Sequence, residues 1–117
     1  MTNELAERQC VPCGKGTPPL SEEAAREYMP AVPAWELREV KSIRRRFRFR
    51  VFRETMAFVN QIADVAEAEG HHPDLYISYN RLRVDLTTHA IGGLSDNDFI
   101  LAAKIDRIFE ASSGGGS

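Results

Sequence analysis

The chain has little cysteine, no basic excess and no long hydrophobic run, and each shortage limits what it can be. Its two cysteines, Cys10 and Cys13, supply only two of the four ligands that a structural zinc ion needs. With 15 basic and 17 acidic residues, it lacks the charge of a nonspecific nucleic-acid binder. No apolar run approaches the roughly 20 residues that span a bilayer, and the charged N-terminus does not resemble a secretory signal. We therefore expect a cytoplasmic protein that binds neither nucleic acid nor membrane.

The rest of the composition is that of one small globular domain. Of the 117 residues, 43% are hydrophobic and 27% are charged. Proline, glycine and the CxxC pair crowd residues 1–20, which we interpret as a flexible N-terminal arm. The domain then covers residues 21–110, and residues 111–117 form a flexible tail rich in serine and glycine. The two cysteines are interpreted as reduced thiols, with a metal shared between subunits as the minority alternative.

Hydrophobic periodicity and capping residues predict three helices. Ser21 is an N-cap ahead of a short first helix, and residues 52–69 repeat apolar side chains at helical spacing, with Phe52 on the buried face. Gly70 follows as the residue at which glycine ends a helix. Ser95, with Asp98 three positions later, resembles a capping box that opens a last helix ending near residue 110.

Between these helices, apolar and polar residues alternate with the period of half-buried strands. Alternation over residues 35–51 indicates one hairpin, and alternation around a turn at Asn80 and Arg81 indicates a second. The order α-β-β-α-β-β-α predicts an α+β fold, a four-stranded antiparallel sheet with helices packed on one face. The arginines that alternate with phenylalanines then occupy the solvent face, where they are solvated or meet an acidic protein partner: Arg46, Arg48 and Arg50.

All three histidines, His71, His72 and His89, fall within one short window. Imidazole has an unperturbed pKa of about 6.5, so histidine both gives and takes a proton near neutral pH. Neighbouring side chains in an extended segment point to opposite faces, so the adjacent pair is not expected to share one role. A histidine on a neighbouring strand then faces one of them across a cleft. This grouping predicts a proton-transfer site rather than three incidental surface residues.

The same window resembles the signature of the pterin-4a-carbinolamine dehydratases, also called 4a-hydroxytetrahydrobiopterin dehydratases. That signature is an acidic residue, three spacers, His-His-Pro, a short strand with an aromatic residue, another histidine and a later aspartate. The resemblance is strongest over about two thirds of the chain, and bacterial relatives often carry a cysteine pair in an N-terminal arm. The matching residues are Glu67, His71, His72, Pro73, Tyr76, Tyr79, His89 and Asp98.

Two positions depart from the pattern of the animal members of that family. Gly70 stands where they carry aspartate, as in many bacterial members, and Ala90 stands where they often carry glutamate. Any hydrogen bond that the aspartate makes in the relatives is missing here. Gly70 also has its own structural role as a helix terminator.

The resemblance implies a hydro-lyase. The reaction is loss of water from 4a-hydroxytetrahydropterin to give quinonoid dihydropterin, in tetrahydrobiopterin recycling, with no cofactor and no metal. The resemblance also implies that His71 and His89 transfer the protons and that His72 holds the pterin. It does not decide which of His71 and His89 is the acid and which is the base. Substrate binding is expected from four further residues: Glu67, Pro73, Trp35 and Asp98. Pro73 also fixes the local backbone, and Glu67 alternatively orients a histidine. Trp35 is more often a core or interface aromatic than a ligand contact, and Asp98 is equally explained by helix capping.

The alternative is a dehydratase-like protein that has lost turnover and acts as an assembly factor. Some dehydratase-like proteins of autotrophs serve ribulose bisphosphate carboxylase assembly, and animal relatives act as dimerisation cofactors of a transcription factor. The retained histidines favour the enzyme. The resemblance, together with the open edges of a small sheet, also implies a homodimer or homotetramer.

Overall fold

The order of helices and strands is the one that the periodicity predicts. The structure, a computed structural model, describes residues 4–11 and 16–116. The elements are α1 (Glu22–Tyr28), β1 (Glu36–Arg38), β2 (Ser42–Arg48), α2 (Phe52–Glu69), β3 (Asp74–Ser78), β4 (Arg81–Leu86) and α3 (Asp96–Gly116). Short 3-10 turns cover Glu4–Glu7, Met29–Ala31 and His89–Ile91.

The four strands form one antiparallel sheet in the order β1-β2-β4-β3. The two hairpins join because β2 pairs with β4, with Ile43 opposite Leu86 and Phe47 opposite Leu82. These four side chains are buried beneath the helices, whereas Arg46, Arg48 and Arg50 are exposed, so the predicted fold class is confirmed. The turn of the second hairpin lies one residue earlier than predicted, at Tyr79 and Asn80, with Tyr79 at a φ of 52°.

Helix α2 ends where predicted, but its buried face is rotated from the predicted one. Gly70 has a φ of 68°, and its N–H donates to the carbonyl of Ala66. Phe52, expected in the core, is 50% exposed. Phe58 is buried instead, with its ring centroid 4.9 Å from that of Phe47 and 5.6 Å from that of Phe109. The prediction for Phe52 is wrong because aromatic packing against the sheet decides which side of the helix turns inward.

Helix α3 supplies much of the core and is longer than predicted. Phe99, the run from Ile100 to Ala103, and Ile105 are all buried. The helix continues to Gly116, so the flexible tail expected from residue 111 is helical over residues 111–116. Serine and glycine have low helix propensity, but an existing helix gains one hydrogen bond for each residue added.

The N-terminal arm is docked on the domain rather than separate from it. Leu5 and Ala6 are 7% and 4% exposed and belong to the core cluster. Further along, the N–H of Leu20 donates to the carbonyl of Leu94 at 2.8 Å. The segment expected to be a flexible arm thus contacts the domain through Leu5 and Ala6, while Cys13 lies outside the described residues. In the described part of the chain, no helix is both long and apolar enough to cross a membrane.

Candidate active site

A cleft of about 440 Å³ opens where the end of α2, the end of β4 and the start of α3 meet. His71, His72 and His89 all line it, although they come from different parts of the chain. The α2 end positions the first two, since the backbone N–H of His71 donates to Ala66 immediately after the left-handed Gly70. The full lining is Val11, Glu69, Gly70, His71, His72, Thr87, Thr88, His89, Ala90 and Asn97.

His71 is anchored on a buried carboxylate. Its Nε2 lies 2.6 Å from Oδ1 of Asp98, and the two side chains are 11% and 0% exposed. With a carboxylate as partner, Nε2 is the nitrogen that carries the hydrogen, which leaves Nδ1 for a ligand. A buried charge is tolerated only when its hydrogen bonds are satisfied, so the remaining oxygen of Asp98 also needs donors.

Two donors from separate elements satisfy that second oxygen. Oδ2 of Asp98 accepts from the hydroxyl of Thr88 at 2.8 Å and from the backbone N–H of Ser95 at 3.0 Å. The Thr88 and Ser95 hydroxyls are 2.8 Å apart. Because Thr88 gives its proton to Asp98, Ser95 is the donor between them. This buried chain fixes the start of α3 to the end of β4, and it holds the ring of His71 at the cleft.

His72 has a partner of a different kind. Its Nε2 lies 2.6 Å from Oε2 of Glu67, but the side chains are 60% and 75% exposed. An exposed pair of this kind contributes about 0–1 kcal/mol, because water screens both groups. His72 is therefore held loosely and is free to reach a ligand.

His89 lies in a hydrogen-bonded turn, and its side chain is exposed. The turn His89–Ile91 is closed at its base, where the N–H of Thr88 donates to the carbonyl of Gly93 at 2.8 Å. The imidazole is 75% exposed, and its Nε2 is 3.6 Å from Oδ2 of Asp74, a pair that is ionic only when the imidazole is protonated. The backbone is thus positioned, while the side chain faces solvent at the cleft.

Of the four further residues expected to bind substrate, none lines the cleft. Glu67 contacts His72, which lines the cleft, and Pro73 is half-buried directly after the histidine pair. Asp98 has no exposed surface to meet a ligand, because it lies behind His71. Trp35 is 4% exposed, and its Nε1 donates to Asp106 at 2.8 Å within the core. The structure therefore places Trp35 in the core and Asp98 behind His71, and neither lies at the cleft surface.

Sequence reasoning missed the residues that connect the cleft to the arm and to the strands. The hydroxyls of Thr88 and Ser95 have no local signal beyond the capping spacing of Ser95 and Asp98. Glu69 accepts a hydrogen bond from the backbone N–H of Cys10 at 2.8 Å. Burial, and then the Glu69 carboxylate, raises the pKa of the Cys10 thiol to about 12.

A second buried carboxylate, Asp106, lies in the core and not at the cleft. It is hydrogen-bonded to Trp35 at 2.8 Å and to Arg45 at 2.5 Å, and the guanidinium of Arg45 also lies over the rings of Phe47 and Phe109. Burial raises the pKa of Asp106, an effect that the two hydrogen-bond donors oppose. Across the described residues, no group of three or more histidine, cysteine or acidic side chains is placed to hold a metal ion.

Comparison with known proteins shows the family to which the chain belongs. The family model for pterin 4 alpha carbinolamine dehydratase matches residues 18–108. The chain belongs to the pterin 4 alpha carbinolamine dehydratase family, as its resemblance indicates.

Two bacterial relatives illustrate the similarity. A protein of Nitrosomonas eutropha is 50% identical over 111 residues, 92% of this chain and 97% of that protein. One of Nitrosospira multiformis is 48% identical over 108 residues, 92% of this chain and 95% of that protein. Both carry the name "Putative pterin-4-alpha-carbinolamine dehydratase".

Two solved structures share the fold. The crystal structure of a transcriptional coactivator/pterin dehydratase from Brucella melitensis is similar with a TM-score of 0.73 and 33% identity, over 77% of this chain and 97% of that one. A pterin dehydratase-like protein, described as a RuBisCO assembly factor in the alpha-carboxysome, gives a TM-score of 0.56 at 21% identity, over 64% and 88%. The second likeness shows the fold alone.

Proposed function

We propose that this protein is a dehydratase that converts 4a-hydroxytetrahydropterin to quinonoid dihydropterin in tetrahydrobiopterin recycling. One observation carries the proposal: three histidines line one cleft, and the most buried of them, His71, is hydrogen-bonded to the fully buried carboxylate of Asp98. Family membership supports the same reaction class.

His71 is the proposed base. Asp98 holds the hydrogen on Nε2, so Nδ1 is free to accept the proton from the pterin ring nitrogen. The carboxylate then compensates the charge that the ring acquires, as the buried aspartate does in a Ser-His-Asp triad. Because the pair is buried, the His71 ring is already oriented by Asp98 before the substrate binds.

His89 is the proposed acid. It protonates the departing 4a-hydroxyl, which leaves as water, while the electrons of the ring N–H bond form the new double bond to the ring carbon. Its exposure of 75% places it at the solvent side of the cleft, where the product water escapes. His72 and Glu67 are the proposed contacts to the polar edge of the pterin, because their exposed donors and acceptors are available to it.

The direct test is the dehydration rate of a synthetic 4a-hydroxytetrahydropterin, followed by stopped-flow absorbance. We expect wild-type protein to exceed the buffer rate, and replacement of His71 or His89 by Ala to lower the rate by roughly 100-fold or more, as for a lost general base or acid. Gln61→Ala, at an exposed position on α2, is the control and retains the wild-type rate.

Wild-type turnover no faster than buffer would contradict the proposal and favour a role as an assembly factor, as described for the alpha-carboxysome protein of the same fold. Gly70→Asp then tests whether the missing carboxylate is the cause. A Cβ at Gly70 meets nothing within 4 Å, and aspartate tolerates a positive φ better than most residues.

We also propose that the protein assembles as a homodimer or homotetramer. Strand β3 is an edge of the sheet, and it and its turn expose large apolar side chains: Tyr76, Ile77 and Tyr79. An open edge with exposed apolar groups favours pairing with another copy. Light scattering at micromolar concentration is expected to give at least twice the mass of one chain, and a monomer would contradict this.

A further inference from the structure

The N-terminal segment, residues 4–11, is held beside the cleft by hydrogen bonds to α2 and α3. Lys104 on α3 donates to the carbonyl of Ala6 at 2.8 Å, and Glu69 at the end of α2 accepts from the N–H of Cys10 at 2.8 Å. Lys104 and Glu69 are also 3.5 Å apart, with both side chains largely buried. The segment therefore lies against the two helices that border the cleft, and it carries backbone groups into a partly buried site.

Both backbone polar groups of Val11 are hydrogen-bonded to one side chain. Asn97 accepts from the N–H of Val11 at 3.0 Å and donates from its amide nitrogen to the carbonyl of Val11 at 2.5 Å. Asn97 is 4% exposed, and one amide side chain satisfies both polar groups of one residue. Two hydrogen bonds to one side chain fix the position of Val11 without involving its own side chain.

The side chain of Val11 forms part of the cleft wall. It lines the cleft together with the three histidines, yet it is 62% exposed. An apolar group held at the wall of a binding cleft gains contact when a flat ring system covers it.

The anchors of Val11 and of His71 are consecutive residues. Asn97 holds the first and Asp98 holds the second, and the N–H of Asn97 donates to the Ser95 hydroxyl of the Asp98 network at 3.2 Å. The first turn of α3 thus sets the distance between Val11 in the cleft wall and the imidazole of His71.

We propose that residues 4–11 complete the substrate cleft, with Val11 as a wall that contacts the pterin ring and Asn97 as the positioning residue that holds it. The inference rests on the proposed function, since it deepens the description of the same site. The arm is then part of the binding site rather than an appendage to the domain.

The experiment measures binding of biopterin, an oxidised pterin that cannot be dehydrated, by fluorescence titration of the full chain. Val11→Asp places a carboxylate against the ring, and we expect the Kd to rise about 10-fold or more, since covering the carboxylate with an apolar ring removes its water. Val11→Ala removes two methyl groups, and we expect a rise of about 3-fold. Gln9→Ala, exposed on the same segment, is the matched control and leaves the Kd unchanged.

Asn97→Ala tests the positioning role through kinetics. We expect KM to rise about 10-fold, with kcat within about twofold, because the wall is displaced while His71 keeps its carboxylate. A change in kcat alone would overturn the positioning role. Because Asn97 is buried, the melting temperature of the Asn97→Ala variant is measured as well. If that variant unfolds, the variants at the exposed Val11 decide whether the segment belongs to the binding site.

The outcomes separate this inference from the proposed function. If wild-type protein binds biopterin and the Val11 variants bind it equally well, the arm is outside the site and the inference is overturned while the function stands. If the wild-type chain neither binds biopterin nor dehydrates the pterin substrate, the proposed function fails and this inference fails with it.

Discussion

The two sides of the cleft hold their histidines in opposite ways. On the inner side, His71 is 11% exposed and its partner Asp98 is 0% exposed. On the outer side, His72 is 60% exposed with a partner that is 75% exposed, and His89 is 75% exposed with a partner 3.6 Å away. The inner histidine is therefore oriented by a buried hydrogen bond, whereas the outer ones have only exposed partners, which water screens.

The partners also differ in how the chain brings them together. His72 and Glu67 are five positions apart, so the end of α2 at Gly70 is enough to bring their side chains together. His71 and Asp98 are 27 positions apart, and Asp98 needs Thr88 from the end of β4 to complete its hydrogen bonds. The inner site therefore exists only when the sheet and α3 have assembled, which ties it to global stability.

The largest expected effect comes from removing the inner carboxylate. Asp98→Ala leaves the His71 ring, the Thr88 hydroxyl and a buried N–H without their acceptor, so we expect the free energy of unfolding to fall by about 3–5 kcal/mol. Glu67→Ala, the same change on the outer side, is expected to alter the free energy of unfolding by no more than about 1 kcal/mol. Urea denaturation measures both, and equal losses would remove the contrast between the two sides.

A smaller effect concerns the arm that borders the inner side. Burial and Glu69 raise the pKa of Cys10 from 9.0 to about 12. A raised pKa lowers the fraction of Cys10 present as thiolate, and this loss outweighs the greater nucleophilicity of the thiolate that remains. In a Cys13→Ser background we therefore expect iodoacetamide at pH 8 to alkylate Cys10 about 30-fold more slowly in the native protein than in urea. Glu69→Gln restores part of the reactivity. Equal rates in native and unfolded chains would show that the segment is not docked.

The same shift predicts a dependence of stability on pH. Because the folded pKa is raised, the folded thiol keeps its proton where the unfolded thiol ionises, so this stability is present below pH 9 and is lost as pH rises toward 12. Relative to the Cys10→Ser variant, the free energy of unfolding should therefore decline between pH 9 and pH 11. A constant difference over that range would argue against the burial of Cys10.

A smaller effect still is expected within the inner network. Thr88→Val keeps the shape of the side chain but removes a donor to Asp98 and an acceptor for Ser95, which we expect to cost about 1–2 kcal/mol of stability. His71 keeps its hydrogen bond, so the dehydration rate should fall only a few-fold. A loss of rate as large as that of His71→Ala would place Thr88 in the chemistry itself.

The sequence predicted what local pattern controls and failed where distant contacts decide. The end of α2 at Gly70 and the capping pair of Ser95 and Asp98 are local signals, and both are found in the structure. The burial of Phe58 in place of Phe52 depends on rings contributed by other elements.

The candidate site shows the same division. The three histidines are predictable as a site because they lie close together in the sequence and match a family signature. The bond between Asn97 and Val11 joins residues 86 positions apart, and no periodicity carries that information. For Trp35 the sequence leaves a core position and a pocket position both open, because the hydrogen bond to Asp106 that places it in the core spans 71 positions.

The most direct test of the central claim, that His71 and Asp98 act as one unit, is a double-mutant cycle on the dehydration rate. Asp98→Asn keeps the volume of the side chain and removes its charge, and we expect kcat to fall at least 10-fold in the wild-type background. In the His71→Ala background the same change is expected to have almost no further effect, because the group that Asp98 orients is gone. Equal losses in both backgrounds would show that Asp98 acts independently of His71, and the account of a fixed inner base would be wrong.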